Sequence, residues 1–90
     1  MSFLNHSLEP SLEQKLVKAF PNEVLYISLN HLSDEIEKSF RRYQRRSSLK
    51  NYNFLKRKMD LLKFVLEEFR ERNLNFKTPL IIREIYNEGQ

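Results

Sequence analysis

Tyr52, Leu55, Met59, Leu62, Leu66 and Phe69 follow one another at intervals of 3, 4, 3, 4 and 3 residues. That spacing keeps apolar side chains on one narrow seam of an α-helix, and such a seam is buried by lying at a shallow angle along another long helix. The chain supplies a partner just upstream, where Leu25, Leu29, Leu32, Ile36, Phe40 and Tyr43 step by 4, 3, 4, 4 and 3 residues. Between the two stripes, Ser47-Ser48 interrupts the pattern and offers an N-cap for the second helix. The expected fold class is all-α: a small helical bundle built on an antiparallel long-helix hairpin, with helices over residues 22–46 and 48–73.

Shorter helices are expected at both ends of this single domain. Ser11-Leu12-Glu13-Gln14 matches a capping box and opens a helix over residues 11–20, after an N-terminal arm of residues 1–10. Leu12, Leu16, Val17 and Phe20 share one face of it, and Pro21 stops it by pushing its predecessor out of the α region. Thr78-Pro79 reads as an N-cap followed by proline at the first helical position. The helix that follows, residues 78–88, carries Leu80, Ile81, Ile82, Ile85 and Tyr86, and Gly89 can close it. One glycine and three prolines in 90 residues leave a sheet without turns. Two local signals compete: Val24-Leu25-Tyr26-Ile27 suits a strand, and Ser33 before Asp34-Glu35 looks like a fresh N-cap, so a break near residues 30–33 is a second reading.

A chain of this size buries only roughly 60–65 % of the surface its unfolded form exposes, so its core is marginal without help. Disulfides cannot supply that help, because there is no cysteine; a structural metal is not expected either, because His6 and His31 have no companion at ligand spacing. Efficient helix packing or self-association remains. Phe54, Leu61, Phe64 and Val65 lie off the seam of the second long helix, so one neighbour cannot cover its stretch from Leu61 to Phe69. The first and last helices, or another copy of the chain, are the coverings to expect. Leu61, Phe64, Val65, Ile81 and Ile82 are the candidate self-association residues, and a homodimer or larger homo-oligomer is the expectation.

The positive charge belongs to one place. Residues 41–63 carry nine cations against Asp60 alone, a net of +8, whereas residues 1–40 sum to −3 and residues 64–90 to −1. In a hairpin that place is the tip and its adjoining turns. The candidate partner-binding residues are Arg41, Arg42, Arg45, Arg46, Lys50, Lys56, Arg57 and Lys58. Arginines at a helix C-terminus also favour the macrodipole, so part of the cluster has a structural reason, and solvation of an aromatic-rich protein is another. An acidic protein surface would meet the arginines by bidentate carboxylate pairing. Nucleic-acid phosphates would meet them through counterion release, with Tyr43, Tyr52 or Phe54 stacking on bases, although both tyrosines sit on the predicted seams and read as core. Sequence-specific DNA reading by a helix-turn-helix is disfavoured, since that motif needs short helices crossing through a tight turn.

Little points to catalysis. With Gly89 as the one glycine, no Gly-rich phosphate loop is available, and no serine has a histidine and acid at a recognisable spacing. No Glu-x-x-His pair exists for a di-metal bundle, and the recurring carboxylates read as solvated helix faces. Arg45-Arg46-Ser47-Ser48 resembles a site for kinases that prefer basic residues, but a plain N-cap is the simpler reading of those serines. The first six residues lack the basic start and apolar stretch of an export signal, and no apolar run approaches the roughly 20 residues of a membrane span. The expectation is a cytoplasmic, non-enzymatic regulator or adaptor without cofactor or small-molecule substrate. It binds another protein, one with an acidic surface; the alternative is electrostatic binding of nucleic acid by the same tip.

Overall fold

The computed structural model describes residues 12–88, and within them the chain forms four helices and no strand: α1 Leu12–Lys18, α2 Asn22–Arg45, α3 Leu49–Glu71 and α4 Leu80–Glu88. The expected capping box at Ser11 and the closing Gly89 lie outside the described residues. Helices α2 and α3 make the antiparallel hairpin, their apolar stripes meeting in a core of Leu25, Leu29, Ile36, Phe40, Leu55, Leu62, Val65 and Phe69. Helix α1 closes one side of the seam by packing on α3, with Val17 buried in the core, and Phe20, just past its end, packed against it. Helix α4 closes the other, setting Ile82 and Tyr86 beside Met59, Leu62 and Leu66.

Several boundaries shift for local reasons. Helix α2 is continuous through residues 30–33, because the Ser33 hydroxyl donates to the Leu29 carbonyl at 2.6 Å instead of capping a new helix. The strand-like Val24–Ile27 run lies within the first turns of the same helix, with Leu25 fully buried. Helix α4 starts after Pro79, whose carbonyl accepts from the Ile82 and Arg83 amides. At the end of α3, Asn73 adopts a left-handed φ of 56°. The Leu74 amide then donates to the Phe69 carbonyl at 2.8 Å and the Asn73 amide to the Arg70 carbonyl at 3.1 Å. This is a Schellman closure with asparagine where glycine is usual, in a chain nearly devoid of glycine.

The end of the bundle opposite the tip is tied by Arg72. Its Nε donates to Glu68 Oε2 at 2.8 Å, one terminal nitrogen to Asn22 Oδ1 at 2.9 Å and the other to the Lys18 carbonyl at 3.0 Å. One guanidinium thereby joins α1, α2 and α3 and satisfies Glu68, a buried carboxylate.

Burial corrects part of the expected self-association surface. Val65 is 1 % exposed and Ile81 and Ile82 are each 7 % exposed, all three within the chain's own core. They are consumed by intrachain packing because α1 and α4 take the two sides of the seam. Leu61 and Phe64 remain half-buried. Tyr52 departs from its predicted core position in the opposite sense: the seam runs out at the hairpin end, leaving it 45 % exposed, its ring 6.0 Å from that of half-buried Tyr43.

Candidate functional site

The chain reverses over only three non-helical residues, Arg46, Ser47 and Ser48. Both serine hydroxyls there have a local task. Ser48 caps α3 by accepting from the Asn51 amide at 3.1 Å, and Asn51 Nδ2 returns to the Arg46 carbonyl at 2.9 Å. The Ser47 hydroxyl donates to the Tyr43 carbonyl at 3.1 Å, and the Arg46 amide to the Arg42 carbonyl at 2.9 Å. These bonds hold the cationic residues on a rigid turn. Replacing Ser48 with alanine is expected to cost about 1 kcal/mol of stability, read as a lower denaturant midpoint with unchanged slope.

The eight candidate cations divide according to what the fold brings near them. No Asp or Glu occurs between Glu37 and Asp60, so any neutralising acid must arrive from the edges of that stretch or from another helix. Three cations find one. Both terminal nitrogens of Arg41 donate to the Glu84 carboxylate of α4, the second at 2.9 Å, and Glu37 lies 3.9 Å away. Lys58 reaches across the hairpin to Glu35 at 3.3 Å, and Lys56 pairs with Asp60 at 3.4 Å. Arg42, Arg45, Arg46, Lys50 and Arg57 have no acidic partner among the described residues. The first four of these lie at or beside the turn and are exposed. Leu49 stands among them at 75 % exposure.

The hydrogen bond from Arg41 holds the Glu84 carboxyl below its ordinary value of 4.5, and the bond from Lys58 does the same for Glu35. A carboxylate with a lowered folded-state pKa stabilises the fold above its ordinary value and loses that contribution as pH falls through the lowered one. The stability difference between wild type and Glu84→Gln is therefore expected to be full above pH 4.5 and to vanish on further acidification, as followed by urea unfolding across that range. Lys18, raised above its ordinary 10.5 chiefly by its hydrogen bond to Glu71, acts in the opposite window: its contribution is full below 10.5 and is lost as pH rises through the raised value.

Farther along α3 the surface changes character. A cavity of about 480 Å³ is lined, among the described residues, by Phe54, Leu61 and Phe64 together with Arg57, Lys58 and Lys63, with Glu13 and Asp60 also at its wall. Phe54 is 47 % exposed and carries the Lys58 ammonium 4.9 Å from its ring centroid. Lys63 is not among the binding residues expected from sequence; its charge and its place one turn from Met59 do not reveal that it shares a cavity with Phe64 and Arg57. The Phe54-Lys58 spacing of four residues on an off-seam helix face is the sequence signal for that part of the surface.

No helix among the described residues is long and apolar enough to cross a membrane. Comparison of the chain with models of known families, with curated proteins and with solved structures yields no match.

Proposed function

We propose that this chain is a non-catalytic cytoplasmic adaptor or regulator that uses its hairpin tip to hold an acidic surface of another protein. The observation that carries this reading is the set Arg42, Arg45, Arg46 and Lys50, four exposed cations on a rigid turn with no acidic partner among the described residues. Guanidinium groups pair bidentately with carboxylates, and arginine and tyrosine are the residue types enriched at energetically important interface positions; an exposed apolar side chain adds surface to bury. Tyr52 and Leu49 supply the tyrosine and the apolar side chain at the tip. Leu49 favours a protein partner, since an aliphatic side chain amid the cations offers nothing to a phosphate backbone.

Electrostatic binding of nucleic acid is the second reading, favoured by the outward edge of the Tyr43–Tyr52 pair. Fluorescence anisotropy with a labelled oligoglutamate peptide, a DNA duplex and a single-stranded RNA, each in rising salt, separates the two. An acidic-protein partner requires salt-sensitive peptide binding and weaker nucleic-acid binding at equal ionic strength. Binding to nucleic acid with none to the peptide replaces that partner by nucleic acid, and no binding to any probe at low salt removes both.

A further inference from the structure

The outer face of α3 carries a second stripe that the hairpin does not use: Phe54, Arg57, Leu61 and Phe64, at intervals of 3, 4 and 3 residues. It borders the 480 Å³ cavity, with Phe54 and Arg57 exposed and Leu61 and Phe64 half-buried. The charge along this helix is divided. From Leu49 to Lys63 it bears Lys50, Lys56, Arg57, Lys58 and Lys63 against Asp60, and from Phe64 to Glu71 it bears Glu67, Glu68 and Glu71 against Arg70. Lys63, at the same cavity, has no acid–base partner among the described residues, and neither have Arg57 and the half-buried Glu67. Arg57 and Glu67 stand ten residues apart, about 15 Å along the helix axis, too far to meet within one chain.

We infer that this face of α3 binds a second copy of the chain, the two α3 helices lying antiparallel about a two-fold axis near Asp60 and Leu61. An isologous pair presents the same patch from both copies, so an antiparallel arrangement lays the basic half of one α3 on the acidic half of the other. Arg57 then opposes the Phe64 ring of the second copy and lies within one turn of its Glu67, and the same contacts repeat across the axis. Leu61 and Phe64 from both copies fill the apolar centre. A parallel pair would oppose like halves, which charge complementarity rejects. This inference is independent of the hairpin tip, whose Arg42, Arg45 and Arg46 stay outside the interface.

Sedimentation velocity on the full chain, from micromolar to sub-millimolar concentration, tests it. The wild type is expected to dimerise reversibly and less strongly at high salt. Arg57→Glu sets an acid near Glu67 of the second copy and Glu67→Lys sets a base near its Arg57, so each variant alone is expected to dimerise at least about tenfold more weakly while keeping wild-type helicity. Mixed in equal amounts, the two variants are expected to recover the dimer, because each half of one then faces an opposite charge on the other. A wild-type monomer at every concentration overturns the inference, whether the face stays bare or something else covers it. Variants that dimerise like the wild type, or a mixture that stays monomeric, overturn it as well.

Discussion

Phe69→Ala is expected to destabilise the chain by about 3–5 kcal/mol. Phe69 is fully buried, and its ring sits between two others: Tyr26 of α2 edge-on at 4.9 Å and Phe76 of the α3–α4 connection at 5.3 Å. Tyr26 in turn donates its hydroxyl to the Asn75 carbonyl at 2.9 Å, so the cluster ties that connection to the hairpin. Removing a buried phenylalanine costs about 3–5 kcal/mol in transfer and cavity terms. Total stability at about 0.05–0.15 kcal/mol per residue is only about 5–13 kcal/mol for a chain of 90 residues. The change therefore removes a large share of what holds the bundle, and with it the anchorage of α4. Far-UV circular dichroism and a urea titration read the effect; a loss under about 1 kcal/mol would show that the ring is not the junction its neighbours make it.

Replacing Arg42, Arg45, Arg46 and Lys50 together with glutamine is expected to weaken binding to an oligoglutamate peptide about 30-fold while leaving the fold intact. Exposed ion pairs contribute about 0.2–1 kcal/mol each, so four of them at about 0.5 kcal/mol sum to about 2 kcal/mol. Stability is untouched in the main because none of the four has an ion-pair partner among the described residues to lose. Removal of Arg42 and Arg45 withdraws a small favourable interaction with the α2 macrodipole, so a slight drop in melting temperature accompanies the loss of binding. Arg41→Gln behaves differently: it strands Glu84 and loosens α4, and its effect appears in stability before it appears in binding. Anisotropy titrations of the two variants at one salt concentration make the comparison.

The hairpin is legible in the sequence because it rests on short-range periodicity. Two apolar stripes of 3–4 spacing and an N-cap serine between them are local signals, and Ser48 caps α3 as expected. The place of the basic cluster is legible for the same reason, since contiguous residues at a turn remain together in space. The state of its members is not. Whether Arg41 and Lys58 are neutralised depends on Glu84, 43 residues away, and on Glu35, on the facing helix. Neither spacing is visible along the chain. Ile81 and Ile82 read as free because a nine-residue helix has two faces to choose from, and only tertiary packing decides which one meets Leu62 and Leu66. Tyr52 departs from expectation for a geometric reason: a seam at the end of a hairpin has no further turn to cover it, so periodicity alone overstates burial there. Ser33 resembles a cap because its side chain can bond backward to Leu29 as readily as forward, and the continuous apolar stripe of α2 favours the backward bond.

Titrating isotope-labelled protein with oligoglutamate and following backbone amide shifts by nuclear magnetic resonance tests the role of the tip most directly. Perturbations are expected to gather at Arg42, Arg45, Arg46, Ser47, Ser48 and Lys50 and to fade in rising salt, while Val17, Phe69 and Ile82 stay still. Shifts centred on α1 or α4 instead, or a tip that remains unmoved while the peptide binds, would contradict that role.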